Sequence, residues 1–216
     1  MTTLSTRPEL IYLLREFYET YRRGSAGGSP AIRQHQRRVR EELSRIMTAD
    51  APLADREPAS KPVVSHLGRA LDNGMSGPQS SMVRAVGRIA DTLTWEYGYE
   101  RLPRELARRF AYTEVLGPRG PVVADSLILG FVLFGPGCTY PQHAHEGIAE
   151  SYISISGAWS ENGAAVYAPG SLILNQPGQH HRITVDVREP CLLAYGWIGS
   201  RERLVAPGMR FSRSRR

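Results

Sequence analysis

The stretch that most constrains this chain is Gly137–Gly157, where a His-x-His pair and a glutamate stand between two glycines (Gly137, His143, His145, Glu150, Gly157). On an extended segment His143 and His145 point to one face, because strand side chains alternate with period two. A tight turn around Gly147 would bring Glu150 back to the same place. A second cluster, Gly170–His181, contains a Pro177-Gly178 turn followed by His180 and His181, so one further imidazole can return to that interior. Imidazoles plus one carboxylate, with positions left for water or substrate, form an open catalytic site for Zn²⁺, Fe²⁺, Mn²⁺ or a neighbouring metal. Separate strands must then wrap around a shared interior.

The rest of the sequence divides near its middle. Before about Leu106 the apolar spacing is helical. Leu10, Leu13, Leu14, Phe17 and Tyr21 share a face in Thr6–Arg22, with Thr6 and Glu9 spaced as a capping box. Ser29-Pro30 opens a second helix with the stripe Ile32, Val39, Leu43 and Ile46, and shorter helices are expected at Val63–Leu71, Ser81–Leu93 and Leu102–Phe110. From about Tyr112 the reading is β, with strands at Leu127–Phe134, Glu150–Ser156, Ser171–Asn175, Arg182–Val185 and Cys191–Ile198 separated by Gly, Pro and Asn. The expected architecture is α+β. Residues 1–111 form a helical region packing on the barrel, 112–200 a small antiparallel, jelly-roll-like β-barrel carrying the metal site, and 201–216 a basic C-terminal tail, of which Arg210–Arg216 is expected to be frayed.

Composition narrows the class. The 216 residues are 41% hydrophobic and 22% charged, as in ordinary globular proteins. No apolar run is long enough to span a bilayer, and the N-terminus lacks the pattern of a secretory signal. Cys138 and Cys191 form no CxxC and read as reduced thiols, which points to the cytoplasm. The net charge of +6 rests on Arg33–Arg45 and Arg210–Arg216. The first run alternates with acids on a helix and reads as a solvated face, so no nucleic acid is expected as partner. The charge also suits an anionic small-molecule substrate. His35 reads as solvated within that face, His66 as a packed structural histidine, and His180 as a rim residue.

Alternation along Glu150–Ser156 adds a neighbourhood. With Glu150 toward the metal, Tyr152, Ser154 and Ser156 follow it, while Ile153 and Ile155 face outward and must be covered, by the N-terminal helices or by a second subunit in a homodimer. Tyr140 and Tyr152 flank the ligands. A phenol beside a divalent cation has its anionic form favoured and can act as a base. Tyr195 and Trp197 share a face in the last strand, as core or as an aromatic wall worth ~0.5–2 kcal/mol to a cationic ligand.

The first cluster resembles the first cupin motif, Gly-x5-His-x-His-x3,4-Glu-x6-Gly, at every fixed position. The second resembles the second cupin motif with departures. Gln176 stands where proline is expected, the proline being displaced to Pro177, and Val185 stands where asparagine is expected. The surviving Gly178–His181 spacing carries the third histidine ligand to His181 rather than His180. The cupin resemblance therefore implies the ligand set His143, His145, Glu150 and His181.

The run from Tyr140 to Gly199, with the upstream helices, is similar to the cupin-type dimethylsulfoniopropionate (DMSP) lyases of the longer, helix-bearing branch, over about Leu10 to Gly199. That resemblance implies a carbon–sulfur lyase using one divalent transition metal ion (Fe²⁺, Mn²⁺, Zn²⁺ or Co²⁺). Tyr152, with Tyr140 as alternative, would be the base for β-elimination to dimethyl sulfide and acrylate, and Trp197, Tyr195 or Trp95 would cradle the sulfonium. Two other readings share the ligands. An iron-dependent cupin dioxygenase acting on a small acid or thiol would consume oxygen. A non-enzymatic metal-sensing cupin would carry its own His/Cys cluster in the helical half, which has no cysteine.

Overall fold

The structure is a computed structural model that describes residues 2–24, 28–99, 101–208 and 211. Its first half is helical: α1 (Pro8–Arg23), α2 (Pro30–Thr48), α3 (Leu67–Gly74) after a 3₁₀ turn at Pro62–His66, and α4 (Ser80–Ile89). Short β1 (Trp95–Glu96) and α5 (Arg104–Arg109) lead into β2 (Phe110–Gly117), β3 (Val122–Val123), β4 (Ile128–Phe134), β5 (Thr139–His143) and β6 (Ile148–Ser156). There follow β7 (Trp159–Glu161), β8 (Val166–Tyr167), β9 (Leu172–Asn175), β10 (His181–Val185), β11 (Cys191–Gly199) and the short helix α6 (Arg201–Val205).

The expected helix periods hold, and the ends differ for local reasons. Ser29 caps α2 by accepting the Ile32 N–H at 3.3 Å, and Pro30 occupies the first turn, where a missing N–H costs nothing. The Thr6–Glu9 capping box does not form. The Thr6 hydroxyl donates to Thr3 O, α1 starts at Pro8, and Arg7 takes the Glu9 carboxylate. The predicted Leu102–Phe110 helix shrinks to α5, because Phe110 is the first strand residue, paired with Phe134.

The strands form two antiparallel sheets, with only β2 and β3 pairing in parallel. One runs β1-β2-β4-β11-β6-β9, with β3 beside β2; the other runs β5-β10-β7-β8. Among the described residues no ladder joins them, so the expected jelly-roll-like barrel is built from two facing sheets. The sheets enclose an aromatic-rich core that includes Phe110, Phe134, Tyr140, Tyr152, Trp159 and Trp197. A second core lies between the larger sheet and the helices, where Ile153 and Ile155 pack with Leu13, Phe17, Val39 and Met82. The greasy outer face of β6 is thus covered by the chain's own helices, which removes the reason for placing a second subunit there.

A buried polar cluster pins helices to sheet. Ser151 Oγ lies 2.7 Å from Tyr21 OH and 2.8 Å from His35 Nε2, joining α1 and α2 to the strand that carries Glu150 and Tyr152. His35 is therefore not solvated; it is 5% exposed. Removing the shared hydroxyl leaves two buried groups without a partner. Ser151→Ala is expected to lower stability by about 1–3 kcal/mol, read as a fall in Tm or in the denaturation midpoint. Burial also holds the His35 imidazole down, to about 4 from an ordinary 6.5. The unfolded chain then binds the proton more tightly, so this contribution is present above about pH 6.5 and is lost as pH falls toward 4. His35→Gln should flatten the pH dependence of Tm in that window relative to wild type; an unchanged slope would contradict the assignment.

Candidate metal centre

Each ligand candidate is delivered by a turn or a strand end. His143 closes β5 and pairs in register with His181, which opens β10. His145 follows in the connection to β6. That connection turns at Gly147, whose φ of +70° is open to glycine at no cost. The His145 carbonyl accepts the Gly178 N–H at 2.9 Å, tying the two histidine-bearing loops together. Glu150 projects from β6. All four side chains are buried, at 1%, 4%, 2% and 0% exposure for His143, His145, Glu150 and His181. One ligand atom from each lies within 4.8 Å of the others.

Backbone carbonyls fix the ring orientations. His143 Nδ1–H donates to Pro141 O at 2.9 Å and His181 Nδ1–H donates to Gln179 O at 3.1 Å, leaving both Nε2 lone pairs free. The Trp197 indole N–H donates to Glu150 Oε1 at 2.6 Å and orients the carboxylate. Glu150 Oε2 sits 3.0 Å from His181 Nε2 and 3.4 Å from His145 Nε2, yet none of these three atoms makes a well-formed hydrogen bond. Such separations are the edges of a coordination sphere with bonds of about 2.1 Å. His143 Nε2 is likewise buried and unpaired. The donor set therefore fits a metal ion.

The electrostatics agree. Burial pushes the Glu150 carboxyl up, but His145 and His181 outweigh it and hold Glu150 well below the usual carboxylate range. Burial holds His143 down to about 3, so its ring is a neutral donor. His180 is exposed and stands outside the group.

Above the group opens a cavity of about 960 Å³. Tyr140, Tyr152, Tyr195 and Trp197 line it together with His143, His145 and Glu150. Trp95 does not: it is 1% exposed inside the helix-facing core, because its side of β1 turns toward the helices. The fraying expected of Arg210–Arg216 falls, apart from Phe211, outside the described residues, whereas the start of the tail is ordered. Ser200 caps α6, and Leu204, Pro207, Gly208 and Phe211 wall the cavity; residues 209–210 and 212–216 lie outside the described residues. Sequence reasoning missed Tyr99, whose hydroxyl is 2.5 Å from Tyr140 OH and whose ring stacks on Phe211 at 3.9 Å. It also missed Tyr112 and Glu114, which alternate with Phe110 along β2. Period-two spacing between positions 110 and 114 was the available signal.

Two facing antiparallel sheets around a buried three-histidine, one-glutamate group define a cupin. Residues 35–193 match the family model described as dimethylsulfoniopropionate lyase. The chain is also 59% identical over 213 residues to the protein named dimethylsulfoniopropionate lyase DddL in Cereibacter sphaeroides, covering 99% of this chain and 92% of that one. The chain belongs to the DMSP lyase family. Among solved structures, a chain from the DMSP lyases RdDddP and RnDddQII superposes with a TM-score of 0.69 at 24% identity, covering 96% of this chain and 99% of its own. DMSP lyase DddQ from Ruegeria pomeroyi DSS-3 gives a TM-score of 0.62 at 22% identity, covering 94% and 98%. At those identities the likeness is one of fold.

If the four side chains act as one ligand set, His181→Ala and Glu150→Gln should each strip most bound metal from reconstituted protein, while His180→Ala keeps it. Elemental analysis reads this directly, and a His180→Ala loss equal to that of His181→Ala would reassign the third histidine.

Proposed function

We propose that this protein cleaves DMSP to dimethyl sulfide and acrylate, with His143, His145, Glu150 and His181 as metal ligands and Tyr152 as base. The observation that carries the reading is the convergence of unpaired, buried ligand atoms at a cavity walled by tyrosines, in a chain 59% identical to a named DMSP lyase. A divalent transition metal ion held there (Fe²⁺, Mn²⁺, Zn²⁺ and Co²⁺ all suit these donors) would supply Lewis acidity to the substrate carboxylate and favour the anionic form of a nearby phenol.

The chain's own residues do the rest. Tyr152 takes a proton from the carbon beside the substrate carboxylate; the electron pair forms the new double bond, and the carbon–sulfur bond breaks with its pair going to sulfur. The sulfonium leaves as a neutral sulfide, so no oxidant or reductant enters. Burial pushes the Tyr152 phenol well above its ordinary 10, as does Glu150 beside it, so it needs a compensating positive charge to serve as base near neutrality. Tyr195 and Trp197 present ring faces to the cation, and Trp197 at the same time holds Glu150. Tyr140 is the second candidate base, favoured by one specific contact: its hydroxyl meets Tyr99 OH, a route for a proton to the cavity wall. Among the described residues no helix is long and apolar enough to cross a membrane, and the reading needs only a small-molecule substrate.

Metal-loaded protein supplied with DMSP should release dimethyl sulfide and acrylate in equal amounts, and a chelator should stop both. Silence with each of the four metals would remove the proposal. Tyr152→Phe should lower kcat by about 100-fold or more with metal content intact; a near-normal rate, with Tyr140→Phe inactive, would move the base to Tyr140.

A further inference from the structure

We propose that Glu114 is the counter-charge that receives the cationic end of the substrate, forming with Tyr112 and Tyr195 an onium-binding subsite apart from the ligand group. This inference rests on the DMSP reading, because it concerns the sulfonium end of that zwitterion.

The sheet itself sets the subsite out. Glu114 of β2, Gly130 of β4, Tyr195 of β11 and Tyr152 of β6 are successive register partners, so they form one row across the larger sheet. Glu114, Tyr195 and Tyr152 all line the same cavity. Gly130 is the gap in that row. A Cβ there would fall 2.7 Å from Tyr195 OH, so the bare backbone is what lets the Tyr195 ring reach toward β2. Tyr112 meets Tyr195 edge-on at 6.4 Å, and Tyr195 lies 5.6 Å from Trp197, which makes a continuous aromatic wall leading from Glu150 to Glu114.

The carboxylate is placed rather than incidental. The β2–β4 register shifts between Glu114 and Leu116, and a bulge of this kind re-aims side chains beside a site. Glu114 Oε1 accepts the Arg119 backbone N–H at 2.7 Å, which holds the carboxylate over the Gly117 turn. Among the described residues it forms no ion pair. Arg101 and Arg119 also line the cavity and are exposed; the Arg119 guanidinium donates to Val205 O at 3.4 Å, and its charge bears on Glu114 from the water-facing side without forming an ion pair with it. Burial raises the Glu114 carboxyl to about 7, and an onium ion beside it would favour the charged form, so that the rings contribute their quadrupoles and the ionised carboxylate its charge. A divalent cation held by His143, His145, Glu150 and His181 would give the other end of the cavity the opposite charge, and the two ends would then match those of a zwitterion and orient its carboxylate toward the ligand group.

Turn-capping alone would also explain the Arg119 contact, so the test must separate charge from structure. Metal-loaded wild type and Glu114→Gln, whose amide oxygen can still accept the Arg119 N–H, are titrated calorimetrically with two ligands of one shape. These are β-alanine betaine and its isostere 4,4-dimethylpentanoate, in which a quaternary carbon replaces nitrogen, so that the positive charge is lost and the carboxylate kept. Wild type should bind the betaine about tenfold more tightly than the isostere. Glu114→Gln should lose that preference while its affinity for the isostere stays unchanged, and Glu114→Asp should keep part of it. Equal weakening of both ligands in Glu114→Gln, or no preference in wild type, would overturn the proposal. A wild type that prefers the betaine yet splits no DMSP would sink the lyase reading and leave the subsite standing. One that splits DMSP without the preference would sink the subsite alone.

Discussion

His143, His145, Glu150 and His181 each hold a buried nitrogen or oxygen without a hydrogen-bond partner, and one ligand atom from each lies within 4.8 Å of the others. Each such atom costs a fold about 1–3 kcal/mol if nothing satisfies it. A fold that gathers one such atom from each residue, orients two of the rings with backbone carbonyls and the carboxylate with an indole N–H, fits a group that takes four lone pairs at once. A cation does this, and the geometry of the strands around it follows from that need.

The supports extend outward from the ligands. Trp197 connects Glu150 to the aromatic wall. On the opposite face of β6, Ser151 connects to Tyr21 and His35, so α1 and α2 are tied by hydrogen bonds to the strand that carries Glu150. Ile153 and Ile155 extend that contact by packing among the helices. Helices and sheets therefore share β6 as a common element, with one face serving chemistry and the other stability. The segment after β11 contributes too, because Leu204, Pro207 and Phe211 complete the cavity wall.

The site was legible where chemistry and spacing coincide. Glycines at 137, 147, 157 and 178 bracket residues whose alternation is fixed by the strand, so His143, His145, Glu150 and His181 could be named from sequence, as could Tyr140 and Tyr152. The surroundings were harder. His35 was read from its charged neighbours, although its spacing from Ile32 and Val39 puts it on the buried stripe of α2, where it lies. Trp95 was chosen from an aromatic cluster in which only Tyr99, two strand periods on, reaches the cavity. Glu114 and Tyr112 escaped because β2 has no flanking turn signal at its start: α5 runs into it directly at Phe110. The capping box at Thr6 failed for a similar reason, since a neighbouring arginine competed for the glutamate.

The account stands or falls on whether one ion sits among those four side chains. Anomalous diffraction from crystals of reconstituted protein, recorded on both sides of the metal's absorption edge, reads this without reference to activity. The account predicts a single strong peak about 2.0–2.3 Å from one nitrogen of each of His143, His145 and His181 and from Glu150 Oε2. No peak there, or a peak on other residues with these four turned apart, would contradict it.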